Sequence, residues 1–134
     1  MNLIDQLNRD EGRRKWVYRD TVGKLTVGVG RNINDVPFSD DEIDLMLNND
    51  IRLRQDILSH MPWFTSLDPV RAAAIINMSF MGVDKLLRFT HMIDALAKQD
   101  WITAMQEMQH SLWAEQVGMR ALRLERQILT GEWQ

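Results

Sequence analysis

Three residues near the start of the chain carry side chains that together could hydrolyse a glycosidic bond. Glu11 closes a helix-like apolar repeat, Asp20 lies in an apparent turn, and Thr26 stands in a glycine-rich strand pattern. Glycoside hydrolysis needs one acid to protonate the leaving oxygen and a second carboxylate to stabilise positive charge or activate water. Burial would keep Glu11 protonated, and a wetter turn would leave Asp20 ionised. Each residue taken singly is more often structural, so the hypothesis depends on their combination.

A short helix and a hairpin are predicted to position these three residues. Ile4, Leu7 and Glu11 follow helical spacing, which predicts a helix over residues 3–11 and partial burial of the Glu11 side chain. Gly12 can end this helix in a left-handed conformation. The segments "KWVYR" and "KLTVGVG" are rich in strand-forming residues and flank the turn "DTVG", which predicts two antiparallel strands. The hydroxyl of Thr26, across the hairpin from the turn, could then hold a water.

The rest of the sequence predicts helices. A capping box from Ser39 to Glu42 begins a helix that reaches about residue 60, and Asp68 with Pro69 begins a central apolar helix that Gly82 ends. Shorter helices are expected near 83–88, after an N-cap at Thr90, over 100–108 and over 119–129, with a turn near 112. The fold class predicted is α+β, predominantly α-helical, in two lobes. One domain, 1–134, would contain a small β-hairpin lobe (about 12–38), a connecting helix (about 40–60) and a helical lobe (about 66–134 plus helix 3–11).

Composition and charge exclude several classes of function. The 134 residues are 45% hydrophobic, enough for one domain, and contain no cysteine, which excludes disulfides and thiolate zinc sites. The three histidines lack metal-ligand spacing, which argues against a zinc amidase or peptidase, so no metal site is expected. A formal charge of −3 gives no overall field for nucleic acid, although Arg13, Arg14 and Lys15 form a local basic cluster. The N-terminus has no signal-peptide or membrane-anchor pattern. The protein is expected to be a monomer.

An ion pair is predicted from a charge on an apolar helix face. Asp50 falls on the same face as Ile43, Met46 and Leu47, where an unpaired carboxylate would be costly. Arg31 is the predicted partner.

Several separated motifs resemble one enzyme family. The pattern "E-G-x5-Y-x-D-T-x-G-x-x-T-x-G-x-G" resembles the catalytic region of the phage-type lysozymes, glycoside hydrolase family 24. "DPVRAAAIINMSF" is similar to the central helix of that family, and "W-x6-R" with the ending "TGEW" is similar to its C-terminal segment. The resemblance therefore covers nearly the whole chain.

The resemblance implies a hydrolase of bacterial peptidoglycan. It would cut the β-1,4 bond between N-acetylmuramic acid and N-acetylglucosamine, for host cell lysis, without a cofactor. By position, Glu11 would be the general acid, Asp20 the second carboxylate and Thr26 the residue that positions the water. The family is taken to invert the anomeric configuration, which predicts carboxyl groups roughly 6.5–9.5 Å apart.

Further residues receive supporting roles from the same resemblance. Gly28 and Gly30 would be positions where a side chain crowds the floor of the cleft. Arg120 matches an arginine that in the family lies near the catalytic acid. Independently of the resemblance, the position of Trp16 on the hairpin makes it a candidate for stacking on sugar. Family members often have histidine where this chain has Arg31. The stretch from residue 31 to 39 is also short, so the small lobe is expected to be little more than the hairpin.

The resemblance also implies a cellular context and leaves alternatives. The protein would accumulate in the host cytoplasm and reach the periplasmic cell wall after a holin-like partner permeabilises the membrane. A transglycosylase that cuts the same bond with one catalytic acid is the enzymatic alternative. A virion-associated or catalytically silent peptidoglycan-binding module is the other.

Overall fold

A helix and three short strands occupy the N-terminal part of the computed structural model, which describes residues 1 to 134. Helix α1 spans Leu3–Glu11. It is followed by strands β1 (Arg14–Arg19), β2 (Leu25–Gly28) and β3 (Arg31–Asn32), which form an antiparallel sheet in the order β1-β2-β3. The third strand was not predicted, because two residues carry too little pattern to identify a strand.

Both ends of α1 are fixed by local hydrogen bonds. The Asn2 side chain accepts from the Asp5 amide at 3.0 Å, and the Asp5 carboxylate accepts from the Asn2 amide at 3.2 Å. Gly12, with φ of 76°, ends the helix by donating its amide to the Asn8 carbonyl. The predicted range of this helix is confirmed, and Glu11 lies in its last turn.

The sheet contains an irregularity that the sequence did not predict. Arg14 faces Gly28 and Tyr18 faces Thr26, so a step of four residues along β1 corresponds to a step of two along β2. Such a bulge locally bends the strand and redirects its side chains. Trp16 lies inside the bulged stretch and is 86% exposed.

Helix α2 spans Asp40–Leu58. Its predicted capping box is confirmed, since Ser39 Oγ accepts from the Glu42 amide at 3.3 Å and the Glu42 carboxylate accepts from the Ser39 amide at 2.9 Å. The chain forms two compact units, Met1–Leu47 and Asn48–Gln134, and their boundary falls within this helix. In that division α1 groups with the sheet.

The second unit is helical. A short turn of 3-10 helix at Ser79–Met81 follows the central helix, so α4 ends before Gly82, the predicted end. Thr90, predicted as an N-cap, is instead the first helical residue. The helices are α3 (Pro62–Thr65), α4 (Pro69–Met78), α5 (Val83–Leu86), α6 (Thr90–Ala97), α7 (Trp101–Gln109), α8 (Leu112–Val117) and α9 (Met119–Thr130).

The hydrophobic core lies in the second unit. Apolar side chains from α4, α6, α7 and α9 bury one another there, which supplies the main driving force for folding of this unit. The fully buried members include Leu58, Ile75, Met78, Leu86, Leu96, Met108 and Ile128. The α+β, predominantly helical, lysozyme-like fold predicted from the sequence is confirmed.

The side chain of Arg71 connects the start of α4 with the end of α9 by hydrogen bonds and an ion pair. Arg71 pairs with the N-cap residue Asp68 at 3.0 Å and donates to the carbonyls of Ile128 and Leu129 at 2.6 and 3.2 Å. Its guanidinium also lies over the Trp101 ring, 4.0 Å from the ring centre. The side chain is only 14% exposed, so these contacts are largely shielded from water.

Candidate active site

Glu11 lies at the end of α1 and contacts the segment that follows β2. A methyl group on Gly30 would lie 2.8 Å from Glu11 Oε2 and 3.0 Å from its Cδ, so the carboxyl occupies the space above this glycine. The predicted partial burial of Glu11 is wrong, because its side chain is exposed. Ile4 and Leu7 on the same helix stripe are also 71% and 43% exposed. Contact with Gly30 therefore positions Glu11, and burial does not.

Asp20 organises the turn between β1 and β2. Its Oδ1 accepts from the amides of Val22 and Lys24 at 3.0 and 2.8 Å, and its own carbonyl accepts from the Gly23 amide at 3.0 Å. Oδ2 has no hydrogen bond from the chain. One carboxylate oxygen is therefore fixed by the backbone while the other is available to a ligand.

Thr26 is the only buried residue in the unit Met1–Leu47, with 3% of its surface exposed. Its hydroxyl donates to the Lys24 carbonyl at 3.0 Å, and the same carbonyl accepts from the Asp20 amide at 2.9 Å. The structure thus joins Thr26 to the Asp20 turn through one backbone oxygen. Because the hydroxyl proton is used, the Thr26 oxygen can act toward a further partner only as an acceptor.

Arg31 pairs with a different carboxylate from the one predicted. Its Nη2 lies 2.8 Å from Glu42 Oε2, and its Nη1 donates to Glu42 Oε1 at 3.1 Å, which makes a bidentate ion pair. The structure corrects the predicted partner of Arg31 from Asp50 to Glu42. Asp50 lies about two turns further along α2 with an exposed side chain, so the argument from a buried charge does not apply to it.

The ion pair predicts how stability changes with pH. Hydrogen bonds from Arg31, and then from Ser39, lower the pKa of Glu42 from 4.5 to about 2. A carboxylate whose pKa is lower in the folded protein stabilises it above pH 4.5 and loses that effect as the pH falls toward 2. Glu42→Gln is expected to lower the free energy of unfolding at neutral pH, by an amount that shrinks across this interval. Urea denaturation from pH 2 to 7 measures the difference.

Asp50→Asn is the matched control, because it removes one exposed carboxylate from the same helix. We expect it to leave the free energy of unfolding nearly unchanged. A Glu42→Gln effect that stays constant from pH 7 to 2 would contradict the role of the ion pair.

The other predicted site residues lie in different environments. Gly28 ends β2 with φ of +69°, and a Cβ there would meet no atom within 4 Å, so the crowding expected at Gly28 is found only at Gly30. Arg120 donates to the Asn77 side chain and carbonyl at 3.0 and 2.6 Å within the second unit. Its role toward Glu11 stays a prediction. Trp16 presents an exposed ring on β1.

The structure contains neither a metal-binding cluster nor a helix that could span a membrane. No group of three or more His, Asp or Glu side chains is placed to hold a metal ion. The helices are also too short or too polar to cross a membrane.

Comparisons with known proteins give a consistent result. The family model described as phage lysozyme matches residues 8–127. The pre-baseplate central spike protein Gp5 of Enterobacteria phage T4 is 31% identical over 161 aligned positions, which cover 98% of this chain and 28% of the spike protein. A probable T4-type lysozyme 1 of Dictyostelium discoideum is 27% identical over 97% of this chain and 95% of its own length.

Both alignments are longer than the chain. Their 161 positions exceed its 134 residues by 27, so each relative carries segments that this chain lacks. The chain spans 28% of the length of the spike protein, whereas it spans nearly all of the Dictyostelium protein.

Proposed function

Because the chain belongs to the phage lysozyme family, we propose that it is a muramidase that hydrolyses the β-1,4 bond between N-acetylmuramic acid and N-acetylglucosamine in peptidoglycan. The observation that carries the proposal is the arrangement of Glu11, Asp20 and Thr26 in one unit. Glu11 packs on Gly30, while one backbone carbonyl joins the Asp20 turn to the Thr26 hydroxyl. Two carboxyl groups and a water-binding hydroxyl are the parts that glycoside hydrolysis requires.

The proposal gives each side chain a role, and hydrogen bonds support the roles of Asp20 and Thr26. Glu11 donates a proton to the leaving glycosidic oxygen. Asp20, held through Oδ1, offers Oδ2 to the attacking water or to the positive charge that develops on the sugar. The Thr26 oxygen accepts a hydrogen bond from that water, because its own proton is given to the Lys24 carbonyl.

This mechanism predicts the products. Hydrolysis leaves a reducing N-acetylmuramic acid end, and an inverting reaction leaves it first in the α configuration. We expect mass spectrometry to find reducing ends on digested sacculi and early proton NMR spectra to show the α anomer. Anhydro-sugar ends would identify a transglycosylase, and an initial β anomer would contradict inversion. Absence of cleavage by a folded protein would leave a binding module.

Gly30→Ala tests the contact that positions Glu11. The new methyl group would lie 2.8 Å from Glu11 Oε2, so the flexible carboxyl must move away. Because a displacement of about 1 Å can cost a hundredfold in rate, we expect kcat to fall about 100-fold. Initial rates on purified peptidoglycan measure this.

Gly28→Ala is the matched control. It places alanine at a similar positive φ, +69° against +65°, but the methyl group meets nothing within 4 Å. Both variants should be destabilised by about 1–2 kcal/mol through backbone strain. A fall in kcat as large for Gly28→Ala as for Gly30→Ala would show that strain, rather than the contact with Glu11, is responsible.

Two supporting roles belong to the same proposal. Arg120 keeps the supporting role that the family resemblance gives it, and Trp16 stacks on a sugar ring. Trp16 is supported by its 86% exposure on the strand that leads into the Asp20 turn.

For the biological setting we propose host cell lysis by a monomer. The protein would collect in the host cytoplasm and reach the periplasmic wall after a holin-like partner opens the membrane. The similarity to a phage spike protein favours a second candidate, a lysozyme module carried by the virion. Immunoblots of purified virions separate the two, because only the second candidate leaves the chain in the particle.

A further inference from the structure

Three consecutive cations border one small cavity on the sheet. Arg13, Arg14 and Lys15 line a cavity of about 150 Å³ together with Gly28 and Val29. Arg13 directly precedes β1, and Arg14 begins that strand opposite Gly28 at the end of β2. The three cations therefore border the cavity where β1 begins beside the end of β2.

These cations lack acidic partners, although the protein carries a net charge of −3. In the same unit Arg9, Lys24 and Arg31 each form an ion pair with a carboxylate. By contrast, Arg13 donates only to the amide oxygen of Asn8, and Arg14 lies over the ring of Tyr18.

The Lys15 side chain is exposed and forms neither a hydrogen bond nor an ion pair. Gly28 borders open space, because a Cβ there would meet no atom within 4 Å. The cavity is therefore accessible and positively charged, with donors that are not committed to carboxylates.

We propose that this cavity is a binding site for phosphate groups of an anionic cell-envelope polymer, separate from the residues that cleave the glycan. One guanidinium is enough to balance the charge of one carboxylate and to bond both of its oxygens, as in the ion pair of Arg31 and Glu42. Three cations around one cavity match a group with more charge and more acceptor oxygens, and a phosphate group has both. This local basic patch would hold the protein at the envelope, because the net charge of the protein, −3, gives no general attraction to an anionic polymer.

The test is binding to purified bacterial walls that carry phosphodiester polymers, compared with the same walls stripped by hydrofluoric acid. Every protein in this test carries Glu11→Gln, and the protein with that substitution alone is the parent. The walls therefore stay intact during the measurement, whether or not the proposed hydrolysis is correct. Substituting Arg13, Arg14 and Lys15 by glutamine should weaken binding to phosphate-bearing walls at least about tenfold, the loss expected for one charge-assisted hydrogen bond. Binding of the parent to stripped walls should fall similarly.

The matched control removes the same charge elsewhere. Arg52, Arg123 and Arg126 are exposed and take part in no ion pair, so their triple glutamine variant should bind phosphate-bearing walls as the parent does. Equal losses in both triple variants would show a bulk charge effect and overturn the site. Equal binding of the parent to both kinds of wall would show that the glycan or its peptides are the ligand, which also overturns it.

A second variant guards against misfolding of the first. Gly28→Asn keeps every cation but places a side chain beside the cavity, and asparagine tolerates a positive φ. Titration with inorganic phosphate should shift the amide NMR signals of Arg13, Arg14, Lys15 and Val29 in the parent, and much less in Gly28→Asn. Unchanged signals in the parent would contradict the proposal.

Discussion

Replacing Glu11 by glutamine is expected to lower the rate of peptidoglycan hydrolysis by about 10²- to 10⁴-fold, the usual contribution of a positioned general acid. Glutamine has nearly the same shape and keeps the packing on Gly30, but it cannot give a proton to the leaving oxygen. The loss should therefore appear in kcat with little change in fold. Turbidity of outer-membrane-stripped bacterial cells gives the rate, and circular dichroism gives the fold.

Asp10→Asn provides the control for this experiment. Asp10 is the neighbouring acid on α1, is half exposed, and pairs with Arg9 at 2.8 Å. Its replacement should leave hydrolysis close to that of the wild type. A folded Glu11→Gln protein with nearly normal activity would exclude Glu11 as the acid, and an equal loss in Asp10→Asn would indicate a general effect of charge.

Replacing Arg71 by methionine is expected to destabilise the protein by about 3 kcal/mol. Methionine keeps an apolar stem but leaves the α9 carbonyls of Ile128 and Leu129 and the Asp68 carboxylate without their partner. These groups are partly shielded from water, so the lost hydrogen bonds are not fully replaced. Urea denaturation at 25 °C measures the difference.

Arg126→Met is the matched control for the effect of removing an arginine. Arg126 lies exposed on α9 and forms no ion pair, so its replacement should change the free energy of unfolding by less than about 0.5 kcal/mol. If Arg71→Met cost no more than Arg126→Met, the contacts of Arg71 would not stabilise the fold.

The sequence predicted well those features that depend on neighbouring residues. Gly12 ends α1, the capping box begins α2, and Pro69 begins α4. Each of these signals operates within about one turn of chain, so the residue types alone identify it. The resemblance to phage-type lysozymes is confirmed by the family model, which matches residues 8–127.

Features that depend on distant residues were missed or wrong. Arg71 binds Ile128, 57 residues away, and nothing near Arg71 in the sequence indicates that partner. The partner of Arg31 was assigned from helix periodicity, which placed Asp50 on an apolar face that is exposed in the structure. The bulge in β1 also depends on pairing with β2, so strand propensity could not predict it.

The hydrogen bonds that shape the site join residues that are close in the chain. Asp20 and Thr26 reach Lys24 over four and two residues, whereas Arg71 closes a loop of 57 residues to Ile128. Contacts of low sequence separation form sooner, because less chain entropy is lost when they close. The hairpin also leaves the ribosome before the C-terminal helices. We therefore expect the Asp20 turn to be among the first parts to fold, and docking of α9 onto α4 to be the late step.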